Sequence, residues 1–136
     1  MKISHEVFLE LIRIVSEQFN NFADLRLWHG LRILGMDGSS LQLPPTPEIW
    51  ETFQPLTPSR DYTNNVPIGR FSCLHDVLND FTLSATLDPW NTGERDQASR
   101  LFKQGLPPQS LILMDRGYPA LWLFEQITVS GGHFCA

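Results

Sequence analysis

Apolar residues recur at helical spacing over residues 4–19, where Val7, Phe8, Leu11, Ile12, Val15 and Phe19 share one stripe. Ser4 suits the N-cap, Glu6 the positive end of the helix, and Asn20-Asn21 its end. The pattern then shortens. Leu31–Met36 is an apolar run broken only by Arg32, Asp37-Gly38-Ser39-Ser40 reads as a tight turn, and Leu41 and Leu43 alternate about Gln42. From Pro44 to Pro67 six prolines interrupt both periods, so a long Pro-rich loop is expected at 44–67. Strands follow over 70–77 and 81–87, joined as a hairpin at Asn79-Asp80. Asn91 or Thr92 caps a helix over 94–104, which Gly105 and Pro107-Pro108 stop. Ser110–Met114 is a compact strand, Pro119 opens a helix carrying Leu121, Trp122, Phe124 and Ile127, and His133 begins a last strand. A hairpin-rich first half followed by helix, strand, helix and strand is an α/β pattern.

A chain of 136 residues forms one domain with one core. Its 42% apolar and 18% charged residues exclude a disordered or coiled-coil chain. No apolar run approaches the roughly 18 to 20 residues of a membrane span, and the first residues lack the signal-peptide pattern. Cys73 and Cys135 are too few for a disulfide scaffold, which makes a reducing cytoplasm the default. A net charge of −5 weighs against a dedicated nucleic-acid-binding domain.

Two aspartates share one context. Asp37 follows Leu31–Met36 and Asp115 follows Leu111–Met114, so each is expected at the carboxyl end of a strand, where open α/β sheets place their ligands. If those strands are neighbours, the carboxylates converge, and converging like charges call for a divalent cation. Oxygen ligands without Cys or His favour Mg²⁺ or Mn²⁺, and two such ions can clamp an in-line displacement at phosphorus. The bland reading is that each Asp ends a strand and accepts turn hydrogen bonds. Beside Asp115, Arg116 is a candidate phosphate contact, against the alternative of a solvated side chain.

Other chemistries are less well supported. His5, His29, His75 and His133 are scattered, and Cys73-Leu74-His75 supplies two of the four ligands structural zinc wants, so a buried thiol and a hydrogen-bonded histidine are expected there. Ser39 and Ser40 lack a nucleophile-elbow context, and Gly131-Gly132 lacks the rest of a phosphate-binding loop. A phosphatase that uses an aspartate nucleophile two positions before Asp37 is excluded by Gly35. Trp28 and Trp122 are expected in the core, and Trp50, in the Pro-rich stretch, is the candidate to stack on nucleic acid.

Three stretches together carry a family resemblance: Gly35-Met36-Asp37-Gly38-Ser39-Ser40-Leu41-Gln42-Leu43-Pro44, Gly93-Glu94-Arg95, and Leu113-Met114-Asp115-Arg116-Gly117-Tyr118. In order and spacing, from about Leu31 to the last residue, the chain resembles the DDE-type transposases of the IS-four group of bacterial insertion sequences. The resemblance implies an RNase H-like mixed sheet flanked by helices, incomplete at the C-terminus. Residues 28–136 would be the N-terminal part of that catalytic domain, and 1–27 a helical lead-in from the region before it. It also implies three acidic residues holding two Mg²⁺ ions (Mn²⁺ substituting) for DNA strand cleavage and joining. Asp37 and Asp115 match the first two acids, as catalytic residues and metal ligands. The third, a Glu in a Tyr-x-x-Arg-x-x-x-Glu stretch, would lie beyond Ala136, because Glu125 has the wrong context; the chain alone would then be inactive. Arg116, Arg70 and Trp50 are the DNA contacts expected on this reading. The implied partners are transposon-end and target DNA and, in the full-length protein, a second copy, in the cytoplasm and without a membrane. The alternative is a non-catalytic truncated remnant acting as a folding or interaction module.

Overall fold

The computed structural model describes residues 4–53 and 66–136. Its elements run α1 (His5–Phe22), β1 (Arg32–Gln42), α2 (Pro47–Thr52), β2 (Ile68–Asp76), β3 (Phe81–Pro89), α3 (Glu94–Lys103), β4 (Ser110–Met114), α4 (Leu121–Val129) and β5 (His133–Cys135). The strands form one sheet in the order β3-β2-β1-β4-β5. β1, β2 and β3 pair antiparallel as a meander, whereas β4 and β5 run parallel to β1 and to each other. The chain must cross over through α3 and α4 to make those parallel pairs, because parallel neighbours cannot be joined by a hairpin. A mixed sheet of this order flanked by helices is the RNase H-like architecture.

Side chains alternate across the sheet with period two. Leu34 and Met36 of β1, Leu74 of β2, and Ile112 and Met114 of β4 point to one face, where Ala98, Leu101 and Phe102 of α3 and Leu123 and Ile127 of α4 complete the core. α1 joins the molecule through its C-terminal half. Phe19 stacks on Phe81, Ser16 Oγ donates to the Leu83 carbonyl at 3.4 Å, and Arg32 reaches Asn20 Oδ1 at 2.6 Å. Farther along α1, Val7, Phe8, Leu11, Ile12 and Val15 are exposed.

At the amino end of β1 the buried Arg32 guanidinium meets Asp76 at 2.5 Å. Asp76 Oδ1 also accepts from the Asn79 amide nitrogens, and Asn79 in turn bonds the Arg26 backbone. This network ties the segment before β1 to the β2–β3 turn.

Several local expectations need correction. Residues 31–43 form no strand–turn–strand: β1 runs unbroken through Asp37-Gly38-Ser39-Ser40, because each of these residues pairs with β2, from Asp37↔Cys73 to Ser40↔Arg70. A nine-pair ladder with β2 outweighs the turn propensity of Gly and Ser. The stretch expected as a loop at 44–67 contains α2. Thr46 caps it and Pro47 occupies its first turn, where a missing N–H costs nothing; residues 54–65 of that stretch lie outside the described residues. α1 continues through Asn20 and Asn21 to Phe22. Gly93, not Asn91 or Thr92, caps α3, and Pro119 precedes the Ala120 cap of α4 and does not open the helix. Trp28 and Trp122 are 52% and 46% exposed and not in the core.

Candidate functional site

The last parallel pair of β1 and β4 is Met36↔Met114, so Asp37 and Asp115 come next, side by side. Neighbouring strands lie about 4.8 Å apart, which brings two residues 78 positions apart in sequence into one neighbourhood. Asp37 lies in the middle of β1, not at its end; it is level with the carboxyl end of β4 because β1 continues past it to pair with β2. By the alternation of side chains Asp37 belongs to the face opposite the α3–α4 core, and Asp115 follows the last residue of β4.

Both carboxylates are exposed, and each spends one oxygen on the backbone. Asp37 Oδ1 accepts from the Gly38 N–H at 2.8 Å and Asp115 Oδ1 from the Gly117 N–H at 2.7 Å. The turn-type hydrogen bonds of the bland reading are therefore present, and they orient the carboxylates without consuming them. The second oxygen of each accepts nothing among the described residues. Two oxygen-only groups side by side fit part of the coordination of a hard divalent cation. Among the described residues no three His, Cys, Asp or Glu side chains gather closely enough to complete such a site.

Gly38 and Tyr118 hold the two aspartates together from below. Tyr118, three residues after Asp115, is 1% exposed, and its hydroxyl lies 3.2 Å from where a Cβ on Gly38 would stand. Only glycine lets the phenol rise this close to the strand carrying Asp37. Ser72 Oγ is beside it but gives its proton to Gln97 Oε1 at 2.8 Å, and among the described residues the Tyr118 hydroxyl makes no hydrogen bond of ordinary geometry. Burial first, and then the charge of Glu94, push the Tyr118 pKa up to about 12 against the opposing effect of the neighbouring Ser72 hydroxyl, with Asp37 and Asp115 adding to the rise. The phenol is therefore a neutral donor at physiological pH, inside the field of three carboxylates.

Gln97 extends the network. Its Nε2 donates to the Arg70 carbonyl at 2.9 Å and to Asp88 Oδ2 at 2.7 Å, and Arg100 pairs with the same Asp88 oxygen at 2.6 Å. Burial opposes the Asp88 charge, but the hydrogen bonds from Gln97, Arg100 and Thr86 outweigh it and hold its pKa below the ordinary carboxylate value.

The remaining expected residues are dispersed. Arg70 is not a free cation: its Nη1 pairs with Glu94 Oε1 at 2.6 Å and its guanidinium lies 4.4 Å over the Trp90 ring. Arg116 is exposed and makes no ion pair among the described residues. Trp50 is half-buried on α2. Cys73, opposite Asp37 in the ladder, has its thiol pushed up by burial and by the Asp37 charge, and His75 Nδ1 lies 3.1 Å from Thr82 Oγ1. Glu94 and Tyr118 carried no signal of their own in the sequence beyond the short motifs that contain them.

No protein-family model matches the chain. The transposase InsG for insertion sequence element IS4 of Escherichia coli (strain K12) is 28% identical over 109 residues, 78% of this chain. This chain is related to insertion-sequence transposases. It spans about a quarter, 24%, of the length of that curated relative. Among solved structures, a pre-cleavage Mos1 transpososome aligns with 90% of this chain and 40% of its own, at 9% identity and a TM-score of 0.48. Among the described residues no helix is long and apolar enough to cross a membrane.

Proposed function

We propose that the chain is part of a DDE-type transposase of the IS-four group, and that Asp37 and Asp115 are two of its catalytic metal ligands. The observation that carries this reading is the register of β1 and β4, which sets the two aspartates side by side with one free oxygen each. When bound, Mg²⁺, or Mn²⁺ in its place, would be held by Asp37 and Asp115 and would supply charge neutralisation at the phosphate and a lowered pKa for the attacking hydroxyl. The chain's own residues orient that chemistry: Gly38 and Gly117 N–H groups fix the carboxylates, and Arg116 is free to meet a phosphate. The third carboxylate that such chemistry uses is supplied from outside these residues. DNA ends and target DNA are the substrates, a second copy of the full-length protein is the partner, and the cytoplasm is the site of action.

The test is Mg²⁺-dependent cleavage of insertion-element ends by the full-length protein. Asp37→Asn and Asp115→Asn each abolish cleavage while circular dichroism and the urea midpoint stay close to those of the unaltered protein, because both side chains are exposed. Cleavage that survives either substitution refutes the assignment.

A further inference from the structure

Away from the aspartate pair, α1 presents three faces. Ser16, Phe19 and Asn20 meet the rest of the molecule at Leu83, Phe81 and Arg32. Glu6, Glu10, Arg13 and Glu17 form a charged face, and Arg13 is spent within it, on Glu10 at 2.6 Å and on Glu17. The third face holds Val7, Phe8, Leu11, Ile14, Val15 and Phe22, each between 40% and 79% exposed. At about 100° of turn per residue, this apolar face stands roughly a quarter-turn or more round the helix from the docked one. Phe22, three residues beyond the stacked Phe19, is the most exposed of the six, so docking on the sheet does not account for the face.

Its spacing is that of one helix laid along another. Phe8, Val15 and Phe22 are seven residues apart, Leu11 stands three after Phe8, and Val7 and Ile14 repeat at seven beside them. Apolar residues in such a 3-4 alternation interlock with the same pattern on a facing helix. Gln18 is the one polar position on the seam from Phe8 to Phe22. The area is also sufficient. Six side chains of this size and exposure leave on the order of 600 Å² per helix, so pairing two copies removes about 1,200 Å² in all, the low end of a specific interface.

Charge narrows the occupant. A stripe without a cation offers nothing to a phosphate backbone, and the charged face of α1, three glutamates to one arginine, is the wrong sign for an anionic lipid surface. A second copy fits: the same uncharged stripe meets itself, no charge is buried, and a two-fold pair closes on itself. We infer that α1 is the helix through which two copies of this chain pair, seam to seam. The inference rests on the second copy named in the reading above and takes nothing from the metal chemistry. Val15 lies midway between Phe8 and Phe22, so full overlap of the two seams, in either direction, sets Val15 against Val15 at the two-fold axis.

Sedimentation equilibrium of the 136-residue chain at micromolar concentrations tests this. The unaltered chain dimerises, and Val15→Lys and Val15→Glu each weaken the dimer by about 10-fold or more, because each sets like charges together at the axis. An equimolar mixture of the two variants, one of them isotope-labelled, restores the dimer as the mixed species in native mass spectrometry, which an unfolded variant could not do. Leu121→Lys, at an exposed apolar residue of α4, leaves the dimer as it is. A chain that stays monomeric, a dimer that survives both Val15 variants or is lost in Leu121→Lys, or a mixture that stays monomeric would overturn the inference. A monomer that binds vesicles of phosphatidylcholine and phosphatidylserine, and loses them in Val15→Glu, would overturn it by assigning the face to lipid. In the full-length protein, a dimer indifferent to Val15→Lys would remove α1 as the surface and leave the second copy standing, whereas a monomer would remove both.

Discussion

Gly38→Ala tests the packing that holds the two aspartates in register. The new methyl would stand 2.9 Å from Ser72 Oγ, 3.2 Å from the Tyr118 hydroxyl and 3.3 Å from the Phe71 carbonyl. None of these can retreat freely. Ser72 is fully buried and bonded to Gln97, Tyr118 is packed in the core, and the Phe71 carbonyl belongs to β2. Forcing a methyl into a packed core costs about 1–3 kcal/mol. With a urea m-value of about 2 kcal/mol/M for a domain of this size, the midpoint falls by about 1 M. Tyr118→Phe removes one of the three obstacles, so in that background the same glycine substitution costs less, by at least about 0.5 kcal/mol in a double-mutant cycle. Urea denaturation followed by tryptophan fluorescence reads all four proteins. An unchanged midpoint in Gly38→Ala, or strictly additive effects, would refute the account of Tyr118 rising beneath β1.

Three further outcomes follow from the buried polar groups. Asp76→Ala leaves Arg32 charged and buried beside Phe19, and lowers stability by about 3–5 kcal/mol in the same denaturation assay; a loss below 1 kcal/mol would mean the pair behaves as a surface pair. Tyr118 is neutral in the folded chain up to about pH 12, but ionises near its ordinary value of 10 when unfolded. Stability therefore falls as pH rises from 10 to 12, by at most about 2.7 kcal/mol. The Cys73 thiol, also raised, adds a loss from pH 9 upward, so the difference between the unaltered chain and Tyr118→Phe isolates the tyrosine. Asp88 is shifted the opposite way: its contribution is complete above the ordinary carboxylate value of 3.8 and is lost as pH falls through its lowered value. Asp88→Asn flattens that acid limb in urea midpoints measured from pH 5 to 2.

The strands that carry the aspartates were legible because they rest on local signals. Apolar runs ending in Asp37 and Asp115 identify two strands; that these strands are parallel neighbours was a condition the sequence left open, and the Met36↔Met114 register meets it. What was not legible depends on partners distant in sequence. Asp37-Gly38-Ser39-Ser40 has the composition of a turn, and only its pairing with Arg70–Cys73 keeps it extended. Thr46-Pro47 is a helix start that the surrounding prolines masked. Trp28 and Trp122 were assigned to the core by residue type, but both side chains are about half exposed. Glu94, Arg70, Trp90 and Tyr118 come from four separate segments, and no spacing in the sequence announces that they meet.

The most direct test of the central claim is to let the bound ion mark its own position. With Fe²⁺ in place of Mg²⁺, ascorbate and peroxide generate hydroxyl radicals that cut the backbone close to the metal. Cuts clustered around both residue 37 and residue 115, lost together in Asp37→Asn and competed away by excess Mg²⁺, are the expected result. Cuts at one aspartate without the other, or elsewhere in the chain, would show that Asp37 and Asp115 do not share an ion.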